Sequence, residues 1–490
     1  ICRRIWNSYG SKYTIMAGIQ AVGDFELVKA EITTSSGMTI DLSASIIHIT
    51  IFEDTSMSAI SGDILLQDSF ALTSVGPIIG QEYLKLKIRT PTLTDADHII
   101  DFTENVFIVN SLESRTNVGN NVQAYLLKFT TSEIVSNSRT KVARSLKGSY
   151  SDIVKIMLGE VDCKKRIYVE PTSGNKRIVA PNIRPFDVIK MATREAVSKF
   201  FSNSNYLFFE TINGYHFRSI SSLYAQSPKQ EYTTFVHGSN ILKSGTVDIE
   251  KELGNILDFE IISNPNILVN YVGGAYASNL IVHDIFSKSY KKYQYGIFDE
   301  FNKENHITKY HQNNKKEFPI YSHLVVDDKG RTVQDFPART FVTPASISSN
   351  SDAQHTTVNN TSPYTPPNAQ DWLQSRISQK IQLEQGFLLN ILTHGNTIVS
   401  AGDIVKLDLP YNASFKTTKD EKNDRFYKGM FFVKRLRHDF DFGDKKHKTH
   451  MTLVKDSLEE SLDGPEDNFE PKPKKSATFY EELEDFYPNL

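Results

Sequence analysis

Residues 25 to 130 alternate between apolar and polar side chains in short runs. In the run "YLKLKIRTP", Leu84, Leu86 and Ile88 alternate with charged residues, and the run ends at Pro91. Because successive side chains of a strand point to opposite faces, a period of two predicts a strand with one buried face. Similar runs, among them "ASIIHITIFED" and "QAYLLKFT", are separated by turn-forming residues. Their spacing predicts a small antiparallel barrel or sandwich, which we place at 17–140.

The period changes near residue 145. The run "SYSDIVKIMLGEV" begins with capping residues and stops at Gly159, and "RPFDVIKMATREAVSKFF" begins with Pro185. Both features are typical of helix ends. Asn213 and Gly214 then separate two aromatic-rich runs and predict a hairpin, because its turn requires positive φ at both central residues. Two helices and a hairpin indicate a small α+β insert domain at 141–238.

The remainder of the chain returns to strand-like runs. Runs such as "ILDFEIIS" and "NILVNYVGGAY" predict a second β-barrel domain at 239–345. The Ser-, Asn-, Thr- and Pro-rich stretch at 346–370 predicts a flexible loop. A helix and a closing β segment follow at 371–458, and we expect them to pack with the insert domain. The predicted fold class is therefore α+β and β-rich.

The stretch "FYKGMFFVKRLRHDFDFGDKKHKTHMTLVKD" at 426–456 contains three histidines and several carboxylates. Its period of two predicts a long strand, a turn at "FGDKK" and a return strand. His447 and His450 are three residues apart, so they point to opposite faces and cannot share a metal ion. His438 and His447 meet only if the register of the two strands happens to bring them together. We therefore predict a structural hairpin rather than a metal site.

Residues 459–490 begin as a charged, proline-bearing linker and end in "TFYEELEDFYPNL". Thr478, with Glu481 three residues later, predicts a capping box at a helix start. A helix this short gains stability only by docking, so we predict a docking motif, with a frayed aromatic tail as the alternative. Its docking side chains are Phe479, Tyr480, Leu483, Phe486 and Tyr487.

Composition narrows the classes of function. A net charge of -3 argues against a dedicated nucleic-acid binder. The two cysteines form no disulfide or metal spacing, which suits a protein assembled in a reducing cytoplasm. No apolar run reaches the roughly 18 residues needed to cross a bilayer, so we expect no membrane insertion. Met16 is typical of a natural start, which makes 1–16 an N-terminal extension.

Motifs for catalysis do not appear in the sequence. We find no G-x-S-x-G elbow, H-E-x-x-H helix, phosphate loop or dinucleotide fingerprint. The paired aspartates of "VVDDKGRT" at 325–332 are better explained by a turn. We therefore predict no catalytic residues, no cofactor and no metal.

The order of these segments resembles the central baseplate hub proteins of contractile-tailed bacteriophages, and the closing segment that of the wider family of late control D proteins and type VI secretion spike hubs. The run "SYSDIVKIMLG" followed by "RPFDVIKMATREA" is similar to the middle segment of the hub, and the likeness spans roughly 17–460. The residues that match the closing strands of the family are Gly402, Val405, Leu407, Gly429, Val433, His438 and the return strand from Thr449 to Lys455.

This resemblance implies a structural protein rather than an enzyme. Hub proteins form homotrimers in which each chain contributes two tail-tube-like barrels, so that three chains present a pseudo-sixfold ring. The implied partners are the sixfold tail tube or its initiator, the threefold central spike and, through the C-terminal motif, other baseplate proteins. Genomic DNA would pass through the ring without specific binding. The implied location is the baseplate of the virion tail, after assembly in the host bacterial cytoplasm.

Two other functions remain open at this point. A tail-tip cell-wall or polysaccharide hydrolase would require two carboxylates that face each other across a groove. The hub of a secretion-system spike would normally continue into a fused β-helix. Here an acidic linker follows the hub-like region, so a spike would have to be a separate polypeptide.

Overall fold

The computed structural model describes most of the predicted domains. The predicted N-terminal extension 1–16, the predicted loop up to residue 367 and the linker with its docking motif at 459–490 lie outside the described residues. No helix among the described residues is long and apolar enough to span a membrane. The described residues are 22–76, 78–91, 99–119, 122–201, 204–234, 249–285, 288–301, 305–307, 331, 333–344, 368–409 and 427–458.

The first β module is one antiparallel sheet wrapped around an apolar core. Its strand order is β3-β4-β7-β6-β5-β1-β2, and every strand contributes buried side chains to the same core. Within the described residues no ladder joins β2 to β3, so the curled sheet is open at this seam. The elements are β1 Glu26–Thr33, β2 Thr39–Asp41, β3 Ile46–Asp54, β4 Ser61–Asp68, α1 Leu72–Val75, β5 Tyr83–Arg89, β6 Ile99–Gly119 and β7 Val122–Thr131.

The insert combines four helices with two small sheets, as the change of period predicted. Ser149 and Asp152 form a capping box at the start of α3, and Pro185 occupies the first turn of α4. The predicted hairpin is present, but its turn residues are Ile212 and Asn213, because Thr211 pairs with Gly214, and neither has the positive φ that we expected. Gly214 has a φ of 130°, and a Cβ there would lie 2.2 Å from the Arg166 carbonyl oxygen, so this position requires glycine. The elements are α2 Ser132–Arg139, β8 Val142–Gly148, α3 Tyr150–Glu160, β9 Ile167–Val169, β10 Lys176–Ile183, α4 Pro185–Glu195, β11 Tyr206–Thr211, β12 Gly214–Ser219 and α5 Ile220–Tyr224.

The next part of the chain is divided between two sheets. Two strands join a second β module, and three others form a separate satellite sheet of order β16-β15-β17. The elements are β13 Gln230–Thr234, α6 Ile249–Leu253, β14 Asn255–Ser263, α7 Ile267–Gly273, β15 Ala277–Asp284, β16 Ser289–Gly296, α8 Ile297–Phe301 and β17 Arg339–Pro344.

The second β module is a closed ring of six strands, ordered β19-β13-β14-β18-β21-β20 and back to β19. The two ladders of β13 are parallel, and the other four are antiparallel. The apolar side chains inside the ring form their own core. The remaining elements are α9 Leu373–Gln385, β18 Phe387–His394, β19 Ile404–Asp408, β20 Gly429–Asp441 and β21 Lys446–Lys455.

The ring draws its strands from other parts of the chain than the sequence suggested. We placed the second barrel at 239–345, but among the described residues of that range only β14 lies in the ring. The predicted strand "NILVNYVGGAY" is wrong, because its first part forms helix α7. The closing segment 371–458 supplies four of the six strands, and it also packs against the insert. The physical reason is that a period of two shows which side of a strand is buried but not which strand is its neighbour. The β-rich α+β fold class is confirmed.

Strand β20 belongs to both β modules. Its first half pairs with β19 of the ring, and its second half pairs with β3 of the first module. Leu436 accordingly lies in the core of the ring, whereas Phe440, four residues later, lies in the core of the first module. One sheet therefore runs from the first module into the second without interruption.

Candidate functional site: an assembly surface across two β modules

The outward side chains of β14, β18, β21, β20 and β3 form one continuous surface, which we call the polar face. Ladder partners place Asp54 beside Arg435, and Arg435 beside Thr452. The same row continues from Thr452 to Asn390 and from Asn390 to Glu260. A groove of about 430 Å³ is lined by residues of all five strands. The polar face thus crosses the boundary between the two modules.

Hydrogen bonds connect this row from one module to the other. Arg435 Nε donates to Asp54 Oδ2 at 2.8 Å, across the boundary between β20 and β3. Within the ring, Thr452 Oγ1 donates to Asn390 Oδ1 at 2.9 Å, and Asn390 Nδ2 donates to Glu260 Oε2 at 3.4 Å. Since these side chains are partly or fully exposed to solvent, they contribute orientation more than stability.

Asp439 lies at the centre of a second polar cluster on this face. Its carboxyl oxygens lie 3.1 Å from both His48 Nε2 and His450 Nε2, and Arg437 donates to it at 2.7 Å. Partial burial alone would raise the pKa of this carboxyl, but the hydrogen bonds from the two histidines hold the pKa well below its usual range. In return, the hydrogen bond to the carboxylate raises the pKa of His48. The cluster links β3 to the β20–β21 hairpin.

Carboxylates outnumber cations on the polar face and its continuation over β4 and β7. Thr50 lies between Asp439 and Asp63 in the ladders, and Asp63 lies beside Lys128. The carboxylates are Asp54, Asp63, Asp258, Glu260, Asp439 and Asp441, and the cations are Arg435, Arg437, Lys446, Lys448 and Lys128. The charge of the face is therefore nearly balanced, with one carboxylate more than its Lys and Arg residues.

The histidine-rich stretch forms the predicted hairpin. His450 pairs with Arg437 on the polar face, whereas His447 pairs with Phe440 on the buried face, so the prediction of opposite faces is confirmed. His438 and His447 do meet, because the register makes them diagonal neighbours: His438 Nδ1 lies 3.1 Å from His447 Nε2. Burial lowers the pKa of His438 to about 4 and that of His447 well below its usual value, so both rings are neutral at neutral pH.

This histidine pair is built as a packing element. The ring of His447 stacks on Phe440 with a centroid distance of 4.1 Å. A Cβ at Gly395 would lie 2.0 Å from Cγ of His447, so only glycine allows the neighbouring chain to approach this closely. Among the described residues, no group of three or more His, Cys, Asp or Glu side chains is arranged to hold a metal ion.

Glu53 of β3 connects the first module to both of the other domains. Its side chain is 1% exposed, and its two oxygens accept the backbone N–H groups of Ile212 at 2.7 Å and Ala401 at 2.8 Å. Ile212 follows β11 of the insert, and Ala401 precedes β19 of the ring. Burial raises the pKa of Glu53 to about 8, against the opposing effect of the two N–H donors. The residue therefore holds three domains in one fixed arrangement.

A second surface, which we call the apolar edge, lies on β14 and α7. Leu257, Phe259 and Ile261 point to the same side of the sheet as the buried core of the ring, yet they are 42–45% exposed. The reason is that β13 pairs with β14 only at Asn255 and Ile256, and beyond these no described strand covers that side of β14. The apolar edge comprises Leu257, Phe259, Ile261, Ile262, Ile267, Leu268, Val269 and Val272.

The sequence missed these surfaces for different reasons. The apolar run from Ile261 to Val272 is visible in the sequence, but nothing in it indicates that the run lies uncovered on the surface. Glu53 carries no sequence signal, since an acidic residue on an alternating strand normally faces solvent. The docking residues predicted at 478–487 and the aspartates of "VVDDKGRT" lie outside the described residues.

Comparison with known proteins gives a likeness of fold. No protein-family model matches the chain, and no curated protein matches it in sequence. A tail protein from Neisseria meningitidis MC58 matches with a TM-score of 0.47 at 11% identity, over 88% of this chain and 97% of that chain. The 43 kDa tail protein of prophage MuSo2 from Shewanella oneidensis matches with a TM-score of 0.47 at 7% identity, over 87% and 98% of the two chains.

The fold resembles that of phage tail proteins. A component of the type VI secretion system of E. coli also matches, with a TM-score of 0.37 at 8% identity, over 90% of this chain and 79% of that chain. At these identities and TM-scores the likeness concerns the fold alone.

Proposed function

We propose that this chain is the structural hub of a contractile phage tail baseplate, a homotrimer that joins the sixfold tail tube to the threefold central spike. The observation that carries the proposal is the single sheet that crosses two β modules within one chain. Three such chains supply six β modules, so a threefold ring can offer a nearly sixfold rim. A closed ring requires matched contacts between unlike surfaces of neighbouring copies.

The apolar edge is the surface that such contacts would cover. Leu268 and Val272 of α7 are 74% and 72% exposed, and α7 follows β14 after three residues of chain. Exposed apolar residues grouped in this way are typical of a protein–protein interface. The uncovered side of β14 also extends the core of the ring outward, so a neighbouring copy would complete that core.

The polar face suits the wall of the central channel. It is continuous across both modules, and its carboxylates outnumber its cations. A wall without an excess of positive charge retains phosphate groups poorly, because binding of nucleic acid depends on neutralisation by Lys and Arg. Genomic DNA would pass along this wall without specific binding, with the tube at one rim of the ring and the spike at the other.

The groove on the polar face does not favour the hydrolase alternative. Asp54 and Glu260 lie on opposite sides of it, on β3 and β14. Four strand spacings separate these strands, which is about 19 Å along the sheet. Glycosidase carboxylate pairs lie roughly 5 to 10 Å apart. The carboxylates of the groove therefore act as surface charges in our proposal, and the chain acts as a structural virion protein.

The mass of the chain in solution tests the trimer. We expect three times the chain mass by multi-angle light scattering. Leu268→Arg combined with Val272→Arg should yield a folded monomer, because both side chains are exposed and the new charges would be buried in the contact. Met57→Arg is the matched control, because Met57 is 60% exposed and follows β3 of the first module. In the sheet, β3 lies four strands away from β14, the strand of the apolar edge.

Two results would overturn the proposal or its interface. A monomer of the unaltered chain that also ignores the spike protein on mixing would remove the hub function. A trimer that persists in the double arginine variant would retain the hub function but move the contact away from the apolar edge.

A further inference from the structure

The satellite sheet has one packed face and one exposed face. On the packed side, Gln374 Nε2 of α9 donates to the Ser278 carbonyl at 3.0 Å, and Ser378 Oγ donates to the Ala275 carbonyl at 2.7 Å. The opposite side, which we call the outer satellite face, is formed by side chains that the ladders place together. These are Ile281 and His283 of β15, Tyr290 and Lys292 of β16, and Val342 of β17. Ile285, the residue directly after β15, lies beside them.

One end of this outer satellite face is apolar although it faces solvent, whereas the next row of the same face, Asn279, Gln294 and Thr340, is polar. Ile285, Tyr290 and Val342 are 66%, 69% and 71% exposed. Single exposed apolar residues are common, but a group that shares one face of a three-stranded sheet indicates a binding surface.

The charge around this face is positive. Lys292 lies on it, and Lys288 directly precedes the edge strand β16. Lys291 pairs with the buried Val282 and therefore points to the packed side of the sheet. No described strand position on the face carries a carboxylate. The apolar edge differs in this respect, because Asp258 and Glu260 of β14 lie beside it. An acidic apolar partner therefore fits the outer satellite face and is repelled from the apolar edge.

The described chain ends next to the satellite unit. Asp456 Oδ1 accepts the backbone N–H of Ile307 at 3.1 Å, and Asp456 Oδ2 lies 2.8 Å from His306 Nδ1. His306 Nε2 in turn donates to the carbonyl of Phe301, the last residue of α8, which directly follows β16. Residues 459–490 of the sequence therefore start from this side of the molecule.

We propose that residues 476–490 of the same chain dock on the outer satellite face. This segment, "SATFYEELEDFYPNL", carries four carboxylates and no Lys or Arg, together with Phe479, Leu483 and Phe486 at helical spacing. Its apolar side would cover Ile285, Tyr290 and Val342, and its carboxylates would face Lys292 on the face and Lys288 directly before β16. The occupant is thus complementary to the face in both hydrophobicity and charge.

The linker allows this docking within one chain. Residues 459–475 provide 17 residues between the end of the described chain and the segment. A flexible chain of that length has a root-mean-square span of about 23 Å. A tether of this kind holds the segment at an effective concentration in the millimolar range, so even a weak docking site is occupied.

The first test uses the segment as a peptide. A fluorescein-labelled peptide of residues 476–490 is titrated with the chain that ends at Lys475, and fluorescence anisotropy reports binding. We expect saturable binding that weakens at least tenfold with Val342→Asp or with Lys292→Glu. A peptide in which Glu481 and Glu482 are replaced by Lys should regain affinity for the Lys292→Glu chain. The matched control is Leu268→Asp on the apolar edge, which should leave binding unchanged.

Each outcome of this test is decisive. An absence of saturable binding overturns the proposal. Binding that survives Val342→Asp but is lost with Leu268→Asp also overturns it, since the peptide would then dock on the apolar edge. Circular dichroism of each variant shows whether a loss of binding is a loss of fold.

The second test separates docking within one chain from docking on a second copy. Hydrogen–deuterium exchange of 281–296 is compared between the full chain and the chain that ends at Lys475, in the Leu268→Arg, Val272→Arg background. We expect slower exchange in the full chain at every protein concentration. Protection that disappears on dilution would assign the segment to a neighbouring copy and overturn the same-chain proposal. This result is independent of the hub function, because the background variant does not rely on trimer formation.

Discussion

The two β modules each enclose an apolar core, but they differ in strand connection and in closure of the sheet. The first takes all seven of its strands from 26–131 and leaves its sheet open at one seam. The second is a closed ring, but it takes two strands from 230–263 and four from 387–455. Closing a ring from distant segments requires long loops to be ordered first, which slows folding. The first module can therefore form early, whereas the ring forms only after its C-terminal strands are in place.

The largest expected effect comes from core truncations that compare the modules directly. Leu127 of the first core and Leu389 of the ring core are both fully buried. We expect Leu127→Ala and Leu389→Ala each to lower the free energy of unfolding by about 2–5 kcal/mol in urea titrations. Hydrogen exchange should accelerate in β4, β6 and β7 for the first variant and in β18, β20 and β21 for the second. Equal acceleration of exchange in all strands of both variants would show that the two modules unfold as one cooperative unit. It would contradict their separate formation.

A smaller effect is expected where the modules meet. Because the folded pKa of Glu53 is about 8, above its usual 4.5, the folded state holds this proton more tightly than the unfolded state. The stabilisation is fully present below about pH 4.5 and is lost as the pH rises to about 8, with a slope of up to about 1.4 kcal/mol per pH unit. Glu53→Gln should flatten this part of the pH profile in urea titrations.

The control for this prediction is a carboxyl on the surface of the first module. Glu113→Gln alters an exposed side chain of β6 and should leave the slope between about pH 5 and 8 unchanged. A Glu53→Gln profile as steep as that of the unaltered chain would contradict the assignment of this pH dependence to the junction.

The smallest effect concerns Asp439, which joins β3 to the β20–β21 hairpin on the solvent side. We expect Asp439→Asn to cost about 1 kcal/mol or less, because the cluster is partly exposed. The same change should lower the pKa of His48, whose raised value depends on the hydrogen bond to that carboxylate. The unaltered chain therefore gains stability from protonated His48 at low pH and loses it as the pH rises through this pKa. An NMR titration in which the pKa of His48 stays the same in both chains would contradict this account.

Local features of the fold could be predicted from the sequence. The alternation at Leu84, Leu86 and Ile88 marks the buried side of β5, and all three side chains are fully buried. Pro185 likewise marks a helix start, and Asn213–Gly214 marks the hairpin, although its turn lies one residue earlier than predicted. Such signals are legible because propensity and period act over one or two turns of chain.

Long-range features could not be predicted in this way. The ladder between Ile256 and Thr393 joins residues more than a hundred positions apart, and nothing near either one specifies the other. The contact of His438 with His447 depends on the register of the hairpin, and the role of Glu53 depends on three domains meeting. The apolar edge is defined by a missing neighbour, which a one-dimensional pattern cannot show.

The strand that both modules share has a mechanical consequence. A flexible linker between two domains would stretch when a force pulls them apart, and the domains would respond one after the other. Here β20 is bonded to β19 at one end and to β3 at the other, with β21 alongside for most of its length. A pull along this strand loads many backbone hydrogen bonds at once in shear, so the two modules move as one stiff body under load.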